Sequence, residues 1–172
     1  LPISVKPVEQ SIFFKRLQYL VISTLFFTTL VITPSTTYDP MSLPKLTTLI
    51  ILSFGIIGLL IFNANILITR IDKHLLILCS LFLVSMLVSL IKSKTNLDQQ
   101  IYGSFGRNTG YLTYLGLVAL FLGTCLTFQN VKNKLLEYTI LAIVIIETLY
   151  TFLQSIGLDI ITWNNDFGPV IG

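Results

Sequence analysis

The chain has 172 residues, of which 53% are hydrophobic and only 11% charged, against about 25% charged in an average soluble domain. That balance excludes an ordinary water-soluble globule, and a small, scattered net charge of +3 offers neither a basic stripe for nucleic acid nor an acidic tail. Two cysteines, Cys79 and Cys125, and one histidine, His74, exclude a disulfide framework and a multi-cysteine metal motif.

In chain order, Lys6, Lys15 and Arg16 lead into an apolar run from Leu17 to Thr33. No small-x-small cleavage site follows, so the run reads as an uncleaved first span rather than a signal peptide. Pro34, Pro40 and Pro44, interspersed with Ser35, Thr36, Thr37 and Asp39, predict a turn-rich loop over Thr33 to Lys45. Further spans are predicted at Leu46 to Ile68, Leu75 to Ile91, Tyr111 to Phe128 and Leu135 to Ile156. Runs of about 17 to 23 apolar residues are long enough to cross the roughly 30 Å hydrocarbon layer as helices. In lipid the backbone must satisfy itself, which disfavours open strands. The expected fold is all-α: a polytopic membrane helix bundle of about five transmembrane helices, forming one transmembrane region over residues 1–172. A start at Leu1 and an end at Gly172 in a polar segment predict a portion of a longer membrane protein.

Orientation follows from the bases, which cytoplasmic loops retain in excess. With the amino terminus inside, Lys6, Lys15, Arg16, Arg70, Lys73, Lys132 and Lys134 lie inside, against Lys45, Lys92, Lys94 and Arg107 outside. This predicts an inner amino terminus and an outer carboxy-terminal tail. Lys92 and Lys94 directly follow the third span and read as snorkelling to headgroups, which leaves Arg107 as the exception to explain.

Arg107 belongs to Tyr102-Gly103-Ser104-Phe105-Gly106-Arg107-Asn108-Thr109-Gly110, just before the fourth span. A helix start exposes unpaired N–H groups and a positive dipole end, and beside a guanidinium this suits an anion. Asn108 or Thr109 is a candidate cap, and Gly103, Gly106 and Gly110 permit close backbone approach to a ligand. Arginine suits phosphate because its planar fork donates two parallel hydrogen bonds. The competing reading is a headgroup anchor within an aromatic belt of Tyr102, Tyr111 and Tyr114.

The fifth span carries Glu137 near its inner end, placed to pair with Lys134 or Lys132, and Glu147 near its middle. A charge at mid-membrane costs roughly 3 kcal/mol on insertion scales, so Glu147 is expected to face the bundle interior, to be protonated or to be paired. Tyr150, Thr151 and Gln154 follow at helical spacing and extend it into a polar stripe that either lines a cavity on the Arg107 side or hydrogen-bonds a neighbouring span. In the fourth span Gly116, Ala119, Gly123 and Thr127 form a small-residue face of the kind that lets helices approach closely, and Gly55 and Gly58 in the second span are given the same role. Cys79 and Cys125 read as small packing residues. No metal site, nucleotide-type phosphate loop or nucleophile–base pair is present in the sequence, and no cofactor is expected. A general base is expected from Glu147, Asp159 or Asp166, or from sequence beyond these residues, the alternative favoured here.

Gly103-x-x-Gly106-Arg107-Asn108-x-Gly110-Tyr111-Leu112-x-Tyr114-Leu115 resembles the glycine-arginine-x-x-glycine stretch that opens a membrane helix in the bacterial O-antigen ligase and O-antigen polymerase superfamily. Leu153-Gln154-x-x-Gly157-Leu158-Asp159, followed by Trp163 and Gly168 to Gly172, is similar to the end of a span leading into that family's outer segment. The resemblance covers residues 100–172. It implies transfer of an oligosaccharide from undecaprenyl pyrophosphate to an acceptor outside the cytoplasmic membrane, with Arg107 as a contact for pyrophosphate or sugar. Asn108, Glu147 and Gln154 complete the candidate substrate site, and the expected partners are the lipid-linked glycan, membrane lipids and packing helices, with no nucleic acid. Two alternatives stand beside it: a transporter that uses Glu147 and the polar stripe, and a non-catalytic membrane scaffold that packs through Gly116, Ala119 and Gly123.

Overall fold

The structure is a computed structural model that describes residues 7–33, 42–104, 108–128 and 134–158. Every regular element among them is a helix: α1 (Pro7–Leu30), α2 (Ser42–Phe62), α3 (Ala64–Arg70), α4 (Lys73–Lys92), α5 (Leu97–Tyr102), α6 (Tyr111–Phe128) and α7 (Lys134–Ser155). Four of these, α2, α4, α6 and α7, are long and apolar enough to cross a membrane, and the chain is a multi-pass membrane protein with an all-α helical bundle.

The expected spans Tyr111 to Phe128 and Leu135 to Ile156 coincide with α6 and α7 to within a residue. The remaining boundaries differ for identifiable reasons. The first helix starts ten residues before Leu17, at Pro7, where proline is tolerated because the first-turn N–H groups lack intrahelical acceptors. Likewise α2 already begins at Ser42, inside the predicted loop, because Pro44 falls in its first turn and is buried there. The predicted second span is in fact two helices. The Asn63 side-chain amide donates to the Leu59 carbonyl (3.0 Å), while the Asn63 carbonyl accepts from Ile66 (2.9 Å). Asn63 thereby closes α2 and opens α3, the local competition with helix that asparagine favours. The chain then turns at Ile71 and restarts at α4, where the Asp72 carboxylate accepts from the His74 N–H (2.9 Å), an N-cap contact that stabilises a helix start by about 1 kcal/mol.

Helices α1, α2 and α6 pack against one another, with α7 against α1 and both α4 and α5 against α6. Leu17, Val21 and Thr24 of α1 are completely buried. Lys15, Arg16 and Gln18 give α1 a more polar first half, in which Lys15 and Arg16 are exposed. Thr24 remains satisfied because its hydroxyl donates to the Leu20 carbonyl (2.7 Å).

The small-residue face of α6 explains the close approach. A Cβ on Gly123 would meet Val21 at 3.0 Å and Ile56 at 3.2 Å, and one on Gly116 would meet the Ser53 hydroxyl at 3.0 Å and Leu49 at 3.2 Å. Gly116, Ala119 and Gly123 are buried, while Thr127 beside them donates to the Gly123 carbonyl (2.7 Å). Gly55 lies against Leu20 of α1, but Gly58 faces open space and packs on nothing within 4 Å, contrary to the packing role expected of it.

These contacts fix the directions. The start of α1, the end of α2 and the end of α6 share a cluster containing Phe13, Leu17, Leu60 and Leu126, which Ile66 and Ile71 close from the α3 side. The end of α1 and the starts of α2 and α6 meet at the opposite pole, where the sequence singled out Asn108.

Candidate functional site

At that pole, Leu25, Thr28 and Thr29 of α1, Ser42, Lys45, Leu46 and Leu49 of α2, and Asn108, Thr113, Leu117 and Leu120 around α6 line a cleft of about 420 Å³. Its residues divide by chemistry. Most of the lining surface is apolar, and its polar residues are Lys45, Asn108 and four hydroxyl-bearing residues. Among the described residues no acid lines the cleft, and half-buried Lys45 makes no ion pair.

Asn108 is held there by its backbone. Its φ is +48°, a left-handed conformation that asparagine tolerates better than most residues. Its N–H donates to the Ser104 carbonyl (3.0 Å) and its carbonyl accepts from the Thr113 hydroxyl (2.6 Å). The helix itself opens at Gly110, whose carbonyl accepts from Thr113 (3.1 Å) and Tyr114 (3.4 Å). Gly103 and Gly110 close the loop by packing on each other. A Cβ on Gly110 would overlap the Ile101 carbonyl oxygen and the Gly103 nitrogen, and Gly103 has a φ of +96°. The close approach expected between these glycines and a ligand is thus a close approach between two stretches of backbone. Arg107 and Gly106 lie outside the described residues.

Around the loop, the six-residue helix α5, which hydropathy does not reveal, joins α4 to this pole. Gln100 ties it down by donating to the Thr95 carbonyl (2.6 Å). Of the proposed aromatic belt, Tyr102 is exposed, while Tyr114 packs edge-to-face on Phe82 of α4 with ring centroids 5.9 Å apart.

Glu147 and Gln154 occupy different surroundings from Asn108, and the structure divides the predicted stripe. Gln154 is buried, and its side-chain nitrogen donates to the Tyr150 hydroxyl (3.0 Å), on the face that α7 turns toward α1. Glu147 is half-buried and lines an open depression with Thr148, Thr151, Phe152 and Ser155. Among the described residues that depression shares no lining residue with the Asn108 cleft. Asp159 and Asp166 lie outside the described residues, as does Lys132. Glu137 is exposed and makes no ion pair with Lys134.

The residues that sequence reasoning passed over are Lys45, Thr28, Thr29 and Thr113. For Lys45 a signal existed: alternation of spans already puts it at the same end as Arg107. No family model, curated protein or solved structure matches the chain.

Proposed function

We propose that this protein takes part in transferring an oligosaccharide from undecaprenyl pyrophosphate to an acceptor on the outer side of a bacterial cytoplasmic membrane, with its amino terminus inside. The observation that carries this reading is the leucine-rich, almost wholly apolar cleft beside Asn108, which has Lys45 among its lining residues. A diphosphate-linked polyprenol has an anionic head and a hydrocarbon tail. In this reading Lys45 approaches the diphosphate from α2, and Arg107, adjoining Asn108 in sequence, approaches it from the start of α6. The hydroxyls of Ser42, Thr28 and Thr29 complete this polar set, and the leucines accept the first isoprene units.

The chemistry asked of such a site is modest. In glycosyl transfer from a diphosphate, an acceptor oxygen forms a bond to the anomeric carbon while the bond from that carbon to the phosphate oxygen breaks, and the diphosphate departs with the electron pair. Cations held at the diphosphate stabilise charge that grows along the reaction, and fixing the head against the membrane orients the anomeric carbon. The described lining residues contribute binding and charge stabilisation. The transport alternative needs Glu147 in the bundle interior, and its place on the outward depression of α7 leaves that alternative without a pathway.

The test is transfer of a lipid-linked oligosaccharide in membranes containing the protein. Arg107→Lys keeps the charge and removes the planar fork, and Lys45→Gln removes a charge. Each is expected to lower transfer about tenfold, equivalent to about 1.4 kcal/mol, with unchanged amounts of protein in the membrane. Undiminished transfer in both variants overturns the reading. Orientation is checked by a membrane-impermeant thiol reagent on the two native cysteines replaced by serine, with a single new cysteine in place of Ser104 or Asn133. Labelling of the first and protection of the second is expected, and the reverse pattern inverts the topology.

A further inference from the structure

Glu147 stands near the middle of α7 (Lys134–Ser155), one of the helices able to cross a membrane. Its carboxyl makes no hydrogen bond or ion pair among the described residues. Together with exposed Thr148, Thr151, Phe152 and Ser155 it lines a depression of about 420 Å³ on the outward side of the helix. The surface around that depression is strongly apolar, with Val144 and Leu149 more than half exposed. A carboxyl and several hydroxyls are therefore set into a hydrocarbon-facing surface at mid-membrane depth, where an ionisable group without a partner is costly.

The described helices supply no partner. The bases of the other candidate spans stand at helix ends, as Lys45, Lys73 and Lys92, while Lys134 opens α7 itself and Lys15 and Arg16 lie in the first half of α1. A second copy that docked by the same face would set carboxyl against carboxyl. Charge complementarity selects a different occupant. We propose that this face of α7 receives a membrane-spanning helix of a partner protein that carries a lysine or arginine at the depth of Glu147. The basic group neutralises the carboxylate, and the hydroxyls of Thr148, Thr151 and Ser155 take its remaining N–H donors. The exposed aliphatic residues above and below supply the packing surface. This inference stands independently of the glycan-transfer reading.

The test places the 172-residue chain, labelled with a fluorescence donor, in phospholipid vesicles with acceptor-labelled polyleucine transmembrane peptides that carry lysine or leucine at their centre. Energy transfer is expected to show the lysine peptide associating at least tenfold more tightly than the leucine peptide, a comparison that needs no variant. Glu147→Gln is expected to reduce the lysine peptide to the level of the leucine peptide. Thr151→Phe, which fills the depression and leaves the carboxyl in place, is expected to weaken the lysine peptide at least fivefold. Equal association of the two peptides overturns the proposal, as does a lysine preference that survives Glu147→Gln. Energy transfer between two copies of the chain that Glu147→Gln abolishes also overturns it, because the occupant is then a second copy.

Discussion

Replacing Gly110 with alanine is expected to destabilise the protein by about 3 kcal/mol, at the upper end of ordinary single substitutions, and to cut oligosaccharide transfer to less than a tenth. The atoms that an added Cβ would strike are the Ile101 carbonyl oxygen, the Tyr102 carbonyl carbon and the Gly103 nitrogen. All are backbone, so no rotamer change relieves the overlap and the loop itself must open. Opening carries Asn108 away from the Thr113 hydroxyl that anchors its carbonyl and widens the rim of the cleft. Thr109, exposed and one residue away, is the control: Thr109→Ala is expected to stay within about 0.5 kcal/mol. Thermal unfolding in detergent micelles measures the first effect and the transfer assay the second. A Gly110→Ala protein with wild-type unfolding would show that the α5–α6 connection does not close as described.

The second large effect is expected at Gly123, where α6 lies against both α1 and α2. Gly123→Leu inserts a side chain where a single methyl already meets Val21 at 3.0 Å and Ile56 at 3.2 Å. Overpacking of this kind costs about 3 kcal/mol when neighbours cannot yield, and Val21 and Ile56 are themselves fully buried. Gly58→Leu makes the same chemical change where nothing lies within 4 Å, and it is expected to leave the unfolding midpoint nearly unchanged. The pair isolates packing from helix propensity, since both glycines are helical and both gain propensity on substitution. Equal destabilisation by the two would remove the small-residue face of α6 as the basis of close helix approach.

The membrane class and the two later helices were legible because hydropathy rises at Tyr111 and Lys134, where polar loops give way to predominantly apolar segments. The break at Asn63 was not legible for the converse reason. Residues 46–68 read as one apolar stretch, and an asparagine inside such a stretch looks tolerated until its amide is seen to bond the Leu59 carbonyl. The early part of α1 and the short α5 were hidden because polar helices carry no hydropathy signal and six residues hold less than two turns.

Around the cleft, Asn108 is marked in the sequence by the glycine-rich segment it belongs to, and Lys45 by the alternation of spans that puts it at the same end as Arg107. The stripe on α7 failed differently. Helical spacing correctly groups Glu147, Tyr150, Thr151 and Gln154 on one side of a helix, but the edge of the packed face runs through that group. Gln154 falls inside the edge and Thr151 outside it. Spacing cannot locate an edge that depends on where a second helix lies.

The contact between α1 and α7 has a consequence for how the protein is made. Among the described helices α1 is the first to be synthesised, and it rests against α2, α6 and α7, of which α7 is the last. Until α7 arrives, the flank of α1 that it covers stays open to lipid or to an insertase. Assembly of the described helices is therefore a circle, in which the earliest of them waits for the latest to complete its set of neighbours.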